Sequence, residues 1–258
     1  MKRILFALAA VLPSWSVAYA QEKGDLRVRV GMGAQVRPTF TGSDKDKISP
    51  YWDFDIAHGT EPFRFEAPDD SFGITVISSG RFSAGPAANL GRSRKDSDVG
   101  APVGKIAGTI EVGGFAQYDL SSSVRMRAEL RKGLGGHNGV IGDVGVDKIW
   151  RDGDRYVFSI GPRIVYSNAQ YQRAYFGVSP AVSLASGLPV YMPHGGVQAV
   201  ALVSGYSYQF TPRFGLFGYA RYARLVGNAA KSPIVRQFGS RNQLSGGIGL
   251  SYTFILPR

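Results

Sequence analysis

Two histidines and one serine could, by residue type, form a hydrolytic site. A nucleophilic serine needs a histidine base, and His137, His194 and Ser179 all fall in predicted loops. The segment Gly177–Ala181 matches a nucleophile elbow only in part, because alanine replaces its last glycine and Pro180 follows the serine. A hydrolase is therefore the minor alternative. We predict that the chain is not an enzyme and has no catalytic residues, and that Ser179 belongs to a rigid loop.

Short carboxylate pairs could supply the oxygen ligands that calcium prefers. The pairs are Asp44 and Asp46, Asp69 and Asp70, and Asp96 and Asp98, all in predicted outer loops. None has the spacing of a dedicated calcium loop, and aspartate is common in turns because it bonds to the local backbone. The chain also has no cysteine, which excludes disulfides and thiolate ligands. We therefore predict no metal site and no cofactor.

Charged residues recur at every second position of several segments. Arg125, Arg127, Glu129 and Arg131 alternate with apolar residues, as they would on a strand with one polar face. Neighbouring segments offer carboxylates that would pair with these arginines across strands. We predict a charge network inside a barrel, in a mostly filled lumen with weak or no conductance. Its members are Arg27, Arg29, Asp53, Asp55, Glu111, Arg125, Arg127, Glu129, Arg131, Asp143 and Asp147.

The elements that would carry these charges are β-strands, and the chain has twelve candidates. The last, residues 243–254, alternates apolar residues with small or polar ones and ends on Tyr252 and Phe254. The first, residues 26–36, puts valine and methionine on one face and arginine on the other. A soluble β-sandwich would alternate in the same way, so periodicity alone leaves both architectures open.

The lengths of the connections separate the two architectures. Short turns are predicted at residues 58–62, 79–80, 119–122, 151–154 and 211–212, and long loops at residues 39–47, 91–105, 168–195 and 227–242. Short turns at one end, long loops at the other and an even number of strands are typical of an outer-membrane barrel. We predict an all-β fold, a transmembrane antiparallel up-and-down β-barrel of twelve strands, with ten strands as the alternative.

The start of the chain matches a secretory signal. A basic beginning and an apolar run over residues 4–12 precede Ala18 and Ala20, which form the small-residue pattern that a signal peptidase accepts. The apolar run is far shorter than the roughly 20 residues of a membrane-spanning helix. We predict a cleaved signal peptide over residues 1–20 and a barrel over residues 21–258, located in the bacterial outer membrane.

The formal net charge of +11 favours anionic partners. An exported protein does not routinely meet nucleic acid, so we expect outer-membrane lipid and lipopolysaccharide instead. Arg92, Arg94, Lys95 and Lys105 of one predicted outer loop could bind lipopolysaccharide phosphates. Aromatic residues near strand ends suit the two membrane interfaces; they are Tyr51, Trp52, Trp150, Tyr156, Tyr166, Tyr206 and Tyr208.

Four stretches carry a resemblance to a known family. They are Tyr175–Tyr191 in the longest loop, Pro38–Asp44 after the first strand, Ala229–Val235, and Gly239–Phe254. Their sequences and order resemble the MipA/OmpV family, outer-membrane proteins named for interacting with the lytic transglycosylase MltA. The family-signature residues of the long loop are Tyr175, Phe176, Gly177, Ser179, Pro180, Gly187 and Pro189. The chain departs from the family at its tail, because relatives end at the final phenylalanine and this chain continues over residues 255–258.

The resemblance implies a non-enzymatic scaffold in the outer membrane. Such a scaffold would link a peptidoglycan hydrolase, a lytic transglycosylase, to a bifunctional penicillin-binding protein in cell-wall growth. Relatives are also described as outer-surface adhesins or as narrow pores admitting small molecules, and these alternatives stay open. The family is not known for one shared catalytic activity, and fold alone does not decide function.

Overall fold

The computed structural model describes residues 24–257, so the predicted signal peptide and its cleavage residues lie outside the described part of the chain. Within this range, twelve strands form one sheet. They are β1 (Leu26–Pro38), β2 (Asp46–His58), β3 (Phe72–Gly73), β4 (Ile77–Ser79), β5 (Phe82–Gly91), β6 (Thr109–Ser121), β7 (Val124–Gly135), β8 (Val140–Asp152), β9 (Tyr156–Ser167), β10 (Gly196–Gln209), β11 (Phe214–Leu225) and β12 (Asn242–Leu256). Five short helices lie in the connections: α1 (Asp96–Val99), α2 (Ala169–Phe176), α3 (Pro180–Ser186), α4 (Gly227–Lys231) and α5 (Pro233–Phe238).

The sheet curls until the first and last strands meet. β1 pairs antiparallel with β12, from Leu26 opposite Leu256 to Val36 opposite Gly246. The other long strands pair in chain order around the barrel. β12 continues through Leu256, so the first two tail residues extend the last strand. The predicted antiparallel barrel of twelve strands is confirmed.

Side chains on the long strands alternate between the lumen and the outside. On β7, Arg125, Arg127 and Arg131 are buried, whereas Met126 and Leu130 are 42% and 59% exposed. An apolar outer face around a polar interior is the arrangement that a barrel in lipid requires. Among residues 24–257, none of the helices is long and apolar enough to cross a membrane.

The aromatic residues predicted for the membrane interfaces mostly point outward. Tyr51 is the exception, because its ring lies 5.0 Å from the rings of both Phe217 and Tyr219 inside the barrel. The prediction for Tyr51 was wrong because this residue shares the inward face of β2 with Asp53 and Asp55. The outward residues are at least 36% exposed; they are Trp52, Trp150, Tyr156, Tyr166, Tyr206 and Tyr208.

One segment leaves the wall of the barrel. Residues 61–71, here called the lumen segment, follow β2 and run inside the barrel before the chain rejoins the wall at Phe72, opposite Ala88 of β5. β2 and β3 are therefore the two ends of the sheet, and no backbone hydrogen bonds join them within residues 24–257. Pro62 and Pro68 disfavour a wall position, since proline has no N–H to donate to a sheet.

This path corrects the prediction for Asp69 and Asp70. Both were expected in an outer loop, but both belong to the lumen segment and bond to Arg163 and Arg125 of the barrel wall. The expectation was wrong because it assumed that every segment between turns is a wall strand. The segment contains two prolines, which cannot donate a hydrogen bond to a sheet, and two adjacent carboxylates, which find arginine partners in the lumen. A position inside the barrel therefore suits it better than a position in the wall.

The outer connections fold over one mouth of the barrel and form a cap. Helices α2 and α3 come from the connection between β9 and β10, and α4 and α5 from that between β11 and β12. One buried apolar cluster, to which the helices contribute, includes Tyr171 of α2 and Val235 of α5. A second cluster includes Phe40, Leu188 and Ile234. The cap therefore has its own core and closes the end of the barrel opposite the short turns.

Candidate functional site

The centre of the lumen holds a continuous chain of ion pairs. Arg125 of β7 lies 2.6 Å from both Asp147 of β8 and Asp70 of the lumen segment. Arg163 of β9 lies 2.8 Å from Asp147 and 3.0 Å from Asp69. Removing charges from water is costly unless fixed partners replace the lost solvation, and here each arginine has two. These pairs fasten the lumen segment to β7 and β9.

A second group of pairs lies nearer the cap. Arg131 lies 3.1 Å from Glu111 and 3.5 Å from Asp143, and it also bonds to Glu129. Arg127 bonds to the other oxygen of Glu129 at 2.6 Å. Charges of opposite sign thus stand beside each other along β7 and across to β6 and β8, where cross-strand attraction stabilises the sheet.

A third group lies near the short turns. Arg29 lies 3.5 Å from Asp53 and also bonds to Asp55, while Arg27 lies 2.8 Å from Asp154. Both guanidinium groups cover the ring of Phe63, at 4.6 and 4.8 Å from its centroid, a favourable cation–π arrangement. The start of the lumen segment is therefore held as firmly as its end.

The structure places all eleven network residues named from the sequence in lumen ion pairs and adds further members. They include Asp69, Asp70, Asp154, Arg163 and Arg151, which lies 3.2 Å from Asp154. The first three were expected in loops or turns, so the sequence pattern gave no reason to place them inside. Arg163 carried a usable signal, because it shares the polar face of its strand with Ser159.

His137 links this network to the cap. Its Nδ1 accepts a hydrogen bond from the N–H of Gly139 at 3.0 Å, so Nε2 carries the hydrogen and donates to Glu111 at 3.1 Å. The ring is buried and packs edge-on against Tyr171 of α2, with centroids 4.7 Å apart. Both ring nitrogens are therefore engaged in structural contacts.

The hydrolytic arrangement considered from the sequence is not assembled. Ser179 Oγ accepts a hydrogen bond from the N–H of Val182 and caps the start of α3, a position that favours serine. Pro180 follows at the first helical position, where its missing N–H costs nothing. Within residues 24–257, no hydrogen bond joins Ser179 to His137 or His194. Ser179 and Pro180 thus shape the cap.

The other family-signature residues also build the cap. Tyr175 and Phe176 are 1% and 0% exposed in the cap core. Burial raises the pKa of the Tyr175 phenol above its usual range. Gly177 ends α2, and Gly187 ends α3 with φ of 74°, a left-handed conformation that favours glycine. Pro189 follows in an exposed stretch.

Arg94 is a structural residue of the cap rather than a contact for lipopolysaccharide. It is 2% exposed and donates hydrogen bonds to the carbonyls of Tyr175 at 2.6 Å and Gly104 at 3.3 Å. Burial lowers its pKa to about 10. The prediction for Arg94 was wrong because the loop folds back under the cap, whereas Lys95 and Lys105 remain exposed.

The acidic pair in the same loop, Asp96 and Asp98, accepts hydrogen bonds from backbone N–H groups. Asp98 accepts a hydrogen bond from the N–H of Lys95, and Asp96 accepts one from the N–H of Gly104, both at 2.7 Å. Over the described range, no group of three or more histidine or acidic side chains is arranged to hold a metal ion.

Two cavities lined by described residues lie within the barrel. The lower has a volume of 310 Å³ and lies between the lumen segment and β2, with Trp52 and Phe72 at its edge. The upper has a volume of 370 Å³ and lies beneath Tyr171 of the cap. Pro68 and Asp70 line both cavities, so the lumen segment is the partition between them.

An antiparallel barrel with an apolar exterior, a charged lumen, short turns at one end and long loops at the other defines an outer-membrane β-barrel protein. The model of the family described as MltA-interacting protein MipA matches residues 30–254. The chain belongs to this family, and the resemblance found in the four sequence stretches is confirmed.

Several solved structures share the general barrel architecture. The NanC porin is 11% identical over 88% of this chain and 98% of that chain, with a TM-score of 0.42. The KdgM porin is 9% identical over 89% and 99%, with a TM-score of 0.37. The translocator domain of the autotransporter NalP from Neisseria meningitidis is 13% identical over 92% and 90%, with a TM-score of 0.38. At TM-scores this low, the similarities support no inference about a site or an activity. No curated protein matches the chain.

Proposed function

We propose that this outer-membrane barrel is a non-enzymatic scaffold for cell-wall growth. It binds a lytic transglycosylase at its periplasmic end and brings this hydrolase to a bifunctional penicillin-binding protein. The family description, which names MltA as an interacting protein, supports a hydrolase as the first partner. The observation that carries the proposal is that the lumen segment divides the lumen. A barrel that is blocked in this way is suited to binding partners at its surface rather than to letting solutes pass through.

The partition is anchored on several sides. Asp154, in the turn between β8 and β9, accepts a hydrogen bond from the N–H of Phe63 at 2.8 Å, and Glu129 of β7 accepts one from the N–H of Ser71 at 3.2 Å. The Asp69 and Asp70 pairs hold the segment between these points. The main alternative, a narrow pore for small molecules, would need a continuous path where this segment lies.

The surface available to a periplasmic partner is the end with the short turns. Arg81, Arg155 and Arg213 are exposed there, in three different turns. Exposed charges attract an oppositely charged partner over long range, and salt screens that attraction. The turns are short, so the interface is small and the complex is of the weak, transient class.

The test is binding of the purified full-length barrel in detergent to a lytic transglycosylase and a bifunctional penicillin-binding protein from the same organism, over a salt titration. The variant Arg81→Gln, Arg155→Gln, Arg213→Gln should weaken hydrolase binding at low salt by roughly tenfold or more, because rim charges chiefly speed association. These arginines are preferred to Asp154, whose replacement would also release the lumen segment.

The matched control is Arg173→Gln, Arg224→Gln, Arg236→Gln, which removes the same charge from exposed positions at the capped end. Binding of the control should equal that of the natural chain. Equal loss in both variants would mean that net charge, rather than the periplasmic face, is recognised. Absence of binding at every salt concentration contradicts the scaffold and favours an adhesin acting through the cap, where Leu184 is 91% exposed.

A further inference from the structure

Three arginines of the upper lumen have no carboxylate partner. Arg37 of β1, Arg221 of β11 and Arg92, directly after β5, all line the upper cavity. None of them forms an ion pair with another described residue, in contrast to Arg125 and Arg163 below. Arg92 donates one hydrogen bond, to the carbonyl of Pro38 at 3.1 Å. The Nε atom of Arg37 is buried and has no hydrogen-bond partner.

The carboxylates that line the same cavity are engaged elsewhere. Asp143 and Glu111 pair with Arg131, and Asp70 pairs with Arg125. Asp69 attracts Arg221 across the cavity, but its oxygen bonds to Arg163 at 3.0 Å. Among the other lumen arginines of residues 24–257, only Arg64 lacks a carboxylate partner. It lies lower, where it donates to Ser83 at 3.0 Å. The upper cavity is therefore the part of the lumen where positive charge is unbalanced.

The three guanidinium groups are close enough to affect one another. Burial, followed by the positive charges of Arg37 and Arg221, lowers the pKa of Arg92 to about 10. Like charges that are partly removed from water destabilise a folded protein, whereas an anion placed among them would be strongly attracted. Arginine is well suited to this role, because its planar group binds carboxylate or phosphate oxygens in pairs.

We infer that the upper cavity binds a small oxyanion, a phosphate or a carboxylate group held between Arg37, Arg92 and Arg221. Its volume of 370 Å³ suits a small molecule. Asn89, Tyr171 and Gln198 also line the cavity and offer hydrogen-bonding groups to the rest of a polar ligand. The site is separate from the scaffold surface, since it lies beneath the cap at the opposite end of the barrel.

The test is calorimetric titration of the full-length barrel, in a zwitterionic detergent without phosphate, with inorganic phosphate and with citrate. Both anions should bind and raise the temperature of unfolding, while glucose at the same concentration should do neither. The double variant Arg37→Gln, Arg221→Gln should weaken binding at least about tenfold, which corresponds to about 1.4 kcal/mol. Failure of the natural chain to bind either anion overturns the inference.

The matched control is Arg224→Gln, Arg236→Gln, which removes two exposed arginines from the same end of the barrel. It should bind both anions as the natural chain does, and an equal loss would show that only net charge matters. Arg37→Lys provides a second variant, because it keeps the charge but loses paired hydrogen bonds. An intermediate affinity is expected for it, and an unchanged affinity would contradict paired hydrogen bonding by Arg37.

The oxyanion could be a free solute or the phosphate of a lipid headgroup, and nanodiscs containing lipopolysaccharide distinguish these sources. If the headgroup occupies the site, phosphate will bind more weakly in these nanodiscs than in detergent. This weakening will occur in the natural chain, which has Arg37 and Arg221, and will be absent from the double variant. If a free solute is the ligand, phosphate affinity will be the same in both. Either result supports an oxyanion site; weakening that persists in the double variant would place the lipid elsewhere and contradict a headgroup source.

Discussion

Arg125 shows how single residues hold the lumen together. Its side chain bonds to Asp70 and Asp147, each at 2.6 Å, and covers the ring of Phe65 at 4.7 Å. One residue therefore joins two wall strands and the lumen segment. A buried pair contributes little net free energy over an apolar replacement of the whole pair, but removing one partner leaves an uncompensated charge.

Arg125→Met should therefore lower the free energy of unfolding by about 3–5 kcal/mol, because Asp147 and Asp70 lose a shared partner. Guanidinium unfolding of the refolded barrel in detergent measures this change. Arg155→Met is the control, because Arg155 is 70% exposed and 3.9 Å from Asp152. It should alter stability by less than about 0.5 kcal/mol. A similar effect in both variants would contradict a structural role for the lumen pairs.

At the scale of elements, helix α2 connects the cap to the barrel. Asn168 caps its first turn by accepting a hydrogen bond from the N–H of Tyr171 at 3.0 Å. Tyr171 packs against His137 below, and Phe176 accepts a hydrogen bond at its carbonyl from Ser232 beside α5 at 2.8 Å. The helix is too short to be stable alone, so these tertiary contacts keep it in place.

The cap should lose stability as the pH rises from about 10 to about 12. Burial raises the pKa of Tyr171 to about 12 from an ordinary value of 10.0. The folded chain then holds a proton that the unfolded chain has released, so stability present below pH 10 falls through this window, by up to about 3 kcal/mol for a shift of this size. Tyr171→Phe should keep its near-ultraviolet circular dichroism to higher pH.

Tyr222→Phe is the control for this prediction, because that ring is 45% exposed on the outer face of β11. Its alkaline transition should coincide with that of the natural chain. Tyrosinate absorbance recorded over the same titration follows the late-titrating phenols, which include Tyr171 and Tyr175. If Tyr171→Phe loses its cap signal at the same pH as the natural chain, Tyr171 does not control the transition.

At the scale of the whole molecule, the barrel is divided rather than open. The cap closes one mouth, and the lumen segment separates the cavities of 310 and 370 Å³. The two ends of the sheet, β2 and β3, lie where this segment would otherwise complete the wall. Conduction through the barrel thus depends on an element held mainly by its own ion pairs.

The natural chain should therefore give small or no single-channel steps in a planar bilayer. Asp69→Ala, Asp70→Ala removes the pairs with Arg163 and Arg125. It should produce severalfold larger steps, because the middle of the lumen segment is then no longer held to the wall. Asp44→Ala, Asp46→Ala is the control, since it removes the same charge from exposed positions at the start of β2 and in the loop before it. Large, stable steps in the natural chain would instead favour the pore alternative.

The sequence by itself determined the architecture and much of the interior. A period of two along segments such as β7 assigns each residue to one of two faces, because side chains of a strand must alternate. The sorting of short and long connections then distinguishes a membrane barrel from a sandwich. These are local properties, so no knowledge of distant neighbours is needed to identify Arg125 or Glu129 as inward residues.

Only the tertiary structure decided which inward groups meet and which segments form the wall. The partners of Asp69 and Asp70 are 94 and 55 residues away in the chain, and that contact depends on how the whole barrel curls. The same holds for Arg94 and the unbalanced arginines of the upper cavity. Their surroundings are set by pairing between distant strands, for which the alternation of a single segment contains no information.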